Sequence, residues 1–272
     1  MTRIHHDRLA LSTGVTVACA IQGDSTGLPL LLLHGVTDSH RSFAPLMAQL
    51  QDDIYAIALT ARGHGDSDKP EGRYGIDLFS ADVAAALDAL GIRSAVVFGH
   101  SMGSLVAQRL AIDHPGRVRG LALAGAMSVL KGLEEVEDFH RQAIVPLVDP
   151  APRQLAVAFQ ESTLTHPVPP DFFEMVVSES LKAPARVWRA AFEALLEEDL
   201  RDRLHRIAAP TRLFWGDRDR YATRAAQDLI LARVPGAELE IFEGLDHALH
   251  WEDPARVGRA LRAFLATLAV PA

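Results

Sequence analysis

Apolar positions along this chain fall into two alternating rhythms. Leu30–Leu33, Ile54–Leu59 and Ala95–Phe98 are short, nearly continuous apolar runs of strand length, and Val118–Ala124, Thr211–Trp215 and Glu238–Phe242 repeat the theme with polar interruptions. Such runs suit strands buried on both faces. Between them apolar residues recur at helical spacing: Phe43–Gln49, Leu78–Leu90 closed by Gly91, Met102–Asp113 stopped ahead of Pro115, Ala222–Val234 and Ala255–Leu268. Near the start, Leu9–Leu11 and Val15–Ile21 flank Ser12-Thr13-Gly14, the pattern of a hairpin. Alternation of this kind predicts an α/β fold, a mostly parallel central sheet with helices on both faces.

From Val129 to Ile207 the alternation stops. This stretch reads as short helices rich in Glu and Arg, broken by Pro146, Pro150, Pro152, "HPVPPD" and Pro184. It is too long for a simple connection, and the strand pattern resumes at Thr211. We therefore expect residues 129–207 to form a helical lid inserted into a core built from 1–128 and 208–272. Its apolar residues, Leu130, Leu133, Phe139, Phe159, Phe172, Phe173, Met175 and Trp188, exceed what a solvated insert needs. Phe172, Phe173 and Trp188, together with Leu249, are the expected lining of a substrate pocket.

Composition narrows the picture. The 272 residues are 49% hydrophobic and 23% charged, an ordinary globular balance. The net charge is −8 and the basic residues are scattered, which argues against nucleic acid as a partner. "MTRIHHDRLA" lacks the apolar core of a secretory signal, and His5 and His6 are expected to lie in a frayed terminus. The longest apolar run, "LPLLLLHG", is strand-sized, so no membrane association is expected and the cytoplasm is the expected location. Cys19, the single cysteine, excludes an internal disulfide. No G-x-G-x-x-G follows the first strand and no H-E-x-x-H occurs, so neither cofactor nor metal is expected.

Chemistry concentrates where a strand pattern meets a helix pattern, in "AVVFGHSMGSLVAQRL". Ser101 stands between Gly99 and Gly103 at the join. A bend this abrupt strains its central residue by about 1–3 kcal/mol, and flanking glycines let strand and helix approach. The outcome is a hydroxyl exposed at a strand end beside free helix N–H groups, suited to a nucleophile whose product is an oxyanion. "LLLLHGVTDS" ends a buried strand at His34-Gly35, so the N–H groups of Val36 and Met102 can serve as paired oxyanion donors, while His34 is expected to hydrogen-bond within its own loop. In "FEGLDHALHWEDP", His247 follows the last strand as the candidate base, with His250 as competitor. "TRLFWGDRDRYAT" offers Asp219 and Asp217 as the acid that orients the base, with Asp219 preferred. Asp246 is discounted because adjacent side chains rarely face one another. His100 is expected to point away along the elbow.

Taken together, "HGVTDS", "ARGHGDSDKP", "GHSMGS", "GDRD" and "DHALHWEDP" resemble the α/β-hydrolase family, in family order across nearly the whole chain. The resemblance is to its serine-dependent, lidded esterase and lactonase branch. It implies Ser101 as nucleophile, His247 as base, Asp219 as acid and Val36 with Met102 as the oxyanion hole; Arg62 and Asp66 would pin their turn. Related dehalogenases and epoxide hydrolases carry aspartate at the elbow, where this chain has Ser101. The H-G-G-P-G and H-G-x-G-P-G signatures of proline-specific peptidases and carbon–carbon hydrolases are missing from "HGVTDSH". The leading expectation is hydrolysis of a small or medium uncharged ester or lactone. Cofactor-free perhydrolysis, as in haloperoxidases, and a ligand receptor that keeps the triad are the alternatives.

Overall fold

The computed structural model of the chain describes residues 4–268. Eight strands form one sheet in the order β1-β2-β4-β3-β5-β6-β7-β8. They are β1 (His5–Ala10), β2 (Thr16–Gln22), β3 (Leu28–Leu33), β4 (Ile54–Leu59), β5 (Ala95–His100), β6 (Val118–Ala124), β7 (Thr211–Gly216) and β8 (Glu238–Phe242). β2 runs antiparallel to both β1 and β4, and every other pairing is parallel. The apolar runs are uninterrupted because central strands have no wet face: all of β5 is buried.

Side chains of alternate parity feed two cores. Leu31, Leu33, Val97, Ile57 and Leu59 face one side, where α2 (Ile76–Ala89), α3 (Met102–Asp113) and α8 (Arg224–Arg233) pack. Leu30, Leu32, Val96 and Phe98 face the other, covered by α1 (Ala44–Met47), α9 (Leu249–Glu252) and α10 (Pro254–Leu268). Between β6 and β7 lie α4 (Glu134–Phe139), α5 (Arg153–Glu161), α6 (Pro170–Ser180) and α7 (Ala185–Glu197). The ends of this insert meet at a neck, where Val129 bridges Asp199 and the Leu200 N–H donates to the Ser128 carbonyl at 2.9 Å.

Some local expectations change. His5 and His6 are not frayed; they pair with Ile21 and Ala20 in β1, because the hairpin ladder extends past the apolar positions that mark it. Phe43–Gln49 is not one helix. A 3₁₀ turn, His40–Phe43, is capped by Ser39 and followed by the short α1. α8 starts at Arg224 because Thr223 caps it, its hydroxyl accepting the Ala226 N–H. No described helix is long and apolar enough to cross a membrane.

Candidate active site

The carboxyl ends of β3, β5, β7 and β8 converge on one rim of the sheet, where open α/β folds place their ligands. Ser101 occupies the β5–α3 turn with φ 53° and ψ −118°. Only an unusually tight join explains such angles in a non-glycine residue. A Cβ on Gly99 would stand 2.3 Å from the Gly103 carbonyl oxygen, and one on Gly103 would stand 2.1 Å from that of Leu33. Both glycines are thus required by backbone contact. Met102 opens α3, and the first N–H groups of a helix have no helical acceptor. Val36 follows β3 and lines the same cavity as Ser101.

His247 and Asp219 come together from the loops after β8 and β7. The His247 Nδ1–H donates to Asp219 Oδ2 at 2.8 Å, and both side chains are buried. Asp219 Oδ1 accepts the N–H groups of Tyr221 at 2.9 Å and Ala222 at 2.8 Å, so its orientation is fixed by backbone. Gly125 makes room for the imidazole: a Cβ there would lie 2.8 Å from His247 Nδ1. Asp217 instead accepts the Gly244 N–H at 2.7 Å. Asp246 accepts the His247 N–H rather than touching the ring.

The histidines sort by partner. His34 donates through Nδ1 to the Gly35 carbonyl at 2.7 Å and accepts the Ala61 N–H at Nε2, and burial holds its pKa well below the usual value. His100 does not point away from the site. It lines the cavity and donates from Nε2 to the His247 carbonyl at 3.1 Å, since a carbonyl can only accept. The tight elbow turns it toward the loop after β8 rather than into the sheet. His250 is fully buried against Phe43, Phe98 and His100, on the far side from the cavity lining. Burial pushes its pKa down to about 3.

Ser101, His247 and Val36 share a cavity of about 280 Å³. Most of its apolar wall comes from the insert and its neck, with Met127, Leu130, Val136, Phe139, Phe159 and Phe192, and Val36 and Trp251 complete it from the core. Asp38, Gln160, Ser162 and Thr163 supply polar lining. Phe172, Phe173, Trp188 and Leu249, expected to line the pocket, do not. Trp188 is fully buried one layer behind, edge-on to Phe159 and stacked on Phe192. Phe172 backs Trp251 at 5.8 Å, Phe173 packs against the main core, and Leu249 belongs to the core beneath the opposite sheet face. Helical phase explains the exchange: α5 and α7 turn Phe159 and Phe192 inward, and periodicity alone does not say which apolar stripe meets a void. Phe192, Trp251 and Asp38 carried no such expectation; Asp38 was hidden inside a motif whose glycine drew attention.

The insert is tied down around the site. The Tyr221 hydroxyl donates to Ser162 at 2.7 Å while its ring stands edge-on to His247. The Ala248 N–H donates to the Thr163 carbonyl at 3.0 Å. Arg62 forks onto Asp82 of α2, and Asp66 pairs with Lys182, in the turn after α6, at 2.8 Å, so these two residues hold neighbouring elements rather than only their own turn. Among the described residues, no group of three or more His, Cys, Asp or Glu side chains is placed to hold a metal.

A family profile described as the alpha/beta hydrolase fold matches residues 29–254, and the chain belongs to that family. Within it, the chain is 30% identical over 273 residues to a non-heme chloroperoxidase from Streptomyces lividans, covering 93% of this chain and 97% of that one. It is 29% identical over 224 residues to 3-oxoadipate enol-lactonase 2 from Acinetobacter baylyi, covering 80% and 81%. Among solved structures, the esterase RhEst1 from Rhodococcus sp. ECU1013 superposes with a TM-score of 0.83 at 27% identity, covering 97% of this chain and 99% of that one. Esterase, lactonase and haloperoxidase relatives together support a hydrolase acting on small molecules.

Proposed function

We propose that this chain is a serine hydrolase that cleaves carboxylic esters or lactones through an acyl-enzyme. The observation that carries the reading is the strained Ser101 sharing one largely apolar cavity with a His247 whose Nδ1–H is held by Asp219. In this mechanism Ser101 Oγ attacks the carbonyl carbon as His247 Nε2 takes its proton. Asp219 keeps the imidazole in the tautomer that leaves Nε2 free and stabilises the cation that forms. The oxyanion is received by the N–H groups of Val36 and Met102, each such donor being worth about 3 kcal/mol in the transition state. Collapse expels the alcohol, which takes the proton from His247. Water, deprotonated by the same imidazole, then releases the acid.

Helices α4–α7 act as the lid that roofs this cavity and sets substrate size. No Lys or Arg lines it among the described residues, whereas Asp38 and Glu135 do. A carboxylated substrate would therefore lack a counter-ion, which favours small or medium uncharged esters and lactones. Kinetics on a panel of 4-nitrophenyl esters and γ-lactones tests the reading; absence of turnover across the panel would overturn it. The chloroperoxidase relative gives perhydrolysis a specific footing as second reading. In that case peroxide replaces water in the second step, and acetate-dependent halogenation with added peroxide distinguishes it.

A further inference from the structure

One buried ionisable group on the cavity wall takes no part in acyl transfer. Asp38 is only 2% exposed and lines the cavity. Its Oδ1 accepts the Ser39 N–H at 2.9 Å, whereas Oδ2 has no hydrogen-bond partner among the described residues. The Ser42 hydroxyl is close, but it donates to the Ser39 carbonyl. Gln160, beside it on the wall, commits its amide N–H groups to Ser180 at 2.9 Å and Thr37 at 3.4 Å. A buried carboxylate with an unpaired oxygen is costly, whereas a carboxylic acid is tolerated and presents an O–H that calls for an acceptor.

A second observation points to the same corner. Among the described residues, the non-glycine positions with positive φ are Ser101, at 53°, and Thr37, at 67°. Strain of this kind persists where surrounding structure imposes it, and it gathers at sites that handle ligands. Thr37 immediately precedes Asp38, so the strained turn sets where the carboxyl enters the wall.

We propose that Asp38, as a neutral carboxylic acid, donates a hydrogen bond from Oδ2 to a substrate oxygen other than the scissile carbonyl. The site then prefers acyl or lactone substrates that carry an ether, ketone or amide oxygen along the chain. This rests on the hydrolase reading above. Burial pushes the Asp38 pKa up to about 7, helped by Glu179 of α6 and opposed by the Ser39 N–H and Ser42 hydroxyl. The other groups meeting at this corner do not mimic that titration. Glu179 is paired with Lys182 and Arg41, and burial keeps His34 and His100 neutral and lowers His40 to about 4. His247 and Glu135 also line the cavity; any effect common to all esters cancels in a ratio of two substrates.

The test uses the full chain with 4-nitrophenyl hexanoate and analogues in which one methylene is replaced by an ether oxygen at successive positions. The quantity read is kcat/KM for each analogue relative to hexanoate, between about pH 6 and 8.5. We expect one analogue to be favoured about three- to tenfold at the acid end, the worth of one hydrogen bond. That preference should fade as pH rises through about 7, where the donor is lost. Asp38→Asn keeps an N–H donor, so the preference should persist and become independent of pH. Asp38→Ala should lose it at every pH; if that variant does not fold, the flat profile of Asp38→Asn still decides. A wild-type ratio that is flat with pH, or a preference that survives in Asp38→Ala, would overturn the proposal. Turnover of hexanoate with no preferred analogue overturns this proposal alone, whereas no turnover of any ester overturns the hydrolase reading and this proposal with it.

Discussion

Asp219→Asn isolates the role of the acid because the two oxygens of this side chain face different donors. Oδ2 receives the His247 Nδ1–H at 2.8 Å, and Oδ1 receives two backbone N–H groups, from Tyr221 and Ala222. Asparagine has one oxygen. Turning it toward His247 would set its NH₂ against both backbone donors, forfeiting two hydrogen bonds at about 0.5–1.5 kcal/mol each and leaving buried N–H groups unpaired. The amide therefore keeps its oxygen on the backbone and presents NH₂ to His247. Nδ1 must then accept, so the ring proton moves to Nε2, where it blocks transfer from Ser101. Disfavouring the productive tautomer by about 2–3 kcal/mol costs roughly 30- to 150-fold in its population. Loss of the negative charge beside the developing imidazolium accounts for the rest of an overall fall of about ten thousand-fold in kcat.

The assay is kcat on a 4-nitrophenyl ester, with near-UV circular dichroism and the melting temperature to establish that the fold is intact. Asp217→Asn is the matched control. It accepts the Gly244 N–H, which an amide oxygen still satisfies, and its other partner is the exposed Arg218 guanidinium at 3.8 Å, so kcat should change less than about threefold. A folded Asp219→Asn variant within tenfold of wild type would refute the tautomer argument. A larger loss in Asp217→Asn would move the role to that residue.

Three further outcomes are expected. Ser101→Ala should lower kcat about a million-fold and abolish labelling by a serine-directed phosphonate; labelling at another residue would sink the assignment. Phe159→Ala, on the cavity wall, should shift the preference between short and long acyl chains by about 1–3 kcal/mol in kcat/KM, whereas Phe172→Ala, in the small cluster behind Trp251, should lower stability and leave the ranking unchanged. His250 has a pKa of about 3 in the fold against 6.5 as its ordinary value, so below about pH 6.5 the unfolded chain takes a proton that the folded one refuses, and stability falls with acidification. His250→Phe should remove about 2 kcal/mol of the loss between pH 7 and 5, measured by denaturant unfolding, and an unchanged loss would refute the account.

The centre of the sheet was legible because burial on both faces writes itself as a nearly unbroken apolar run: β4 ends where the run Ile54–Leu59 ends, and β6 where Val118–Ala124 ends, whereas β8, a partly exposed edge strand, was marked only by the alternation within Glu238–Phe242. The elbow was legible for a related reason, since only glycine fits where Gly103 meets the Leu33 carbonyl. The positions around Ser101, His247 and Asp219 are set by strand ends, and strand ends are fixed by sequence-local signals. The lining was not legible in the same way. Phe159, Phe172 and Trp188 are all apolar residues on amphipathic helices of one insert, yet one faces a void, one props a tryptophan and one lies behind. What separates them is the rotation of α5, α6 and α7 against one another, which depends on pairs such as Phe159 with Trp188 that lie far apart in sequence. His100 was misread for a similar reason, its partner being the His247 carbonyl 147 positions away.

The proposed triad and most of the apolar cavity wall therefore occupy different parts of the molecule. Ser101 directly follows β5, and Asp219 and His247 stand in the loops after β7 and β8, all at one rim of the sheet. Most of the apolar wall belongs to helices outside that sheet, joined to it through the Val129–Asp199 neck and through contacts such as Tyr221 with Ser162 and Asp66 with Lys182. Substitutions on α5 or α7 can reshape the cavity without touching the strands, provided core-facing residues such as Trp188 are kept. Asp38 is the exception: it lies in the loop after β3, one residue beyond the strained Thr37, and lines the same cavity. The proposed polar requirement there and the acyl-chain length are set by different side chains. The Asp38 and Phe159 variants should accordingly alter substrate choice along separate axes, oxygen content for the first and chain length for the second. Their double variant should show the sum of the two effects; a departure of more than a few tenths of a kcal/mol would mean that the two positions are coupled.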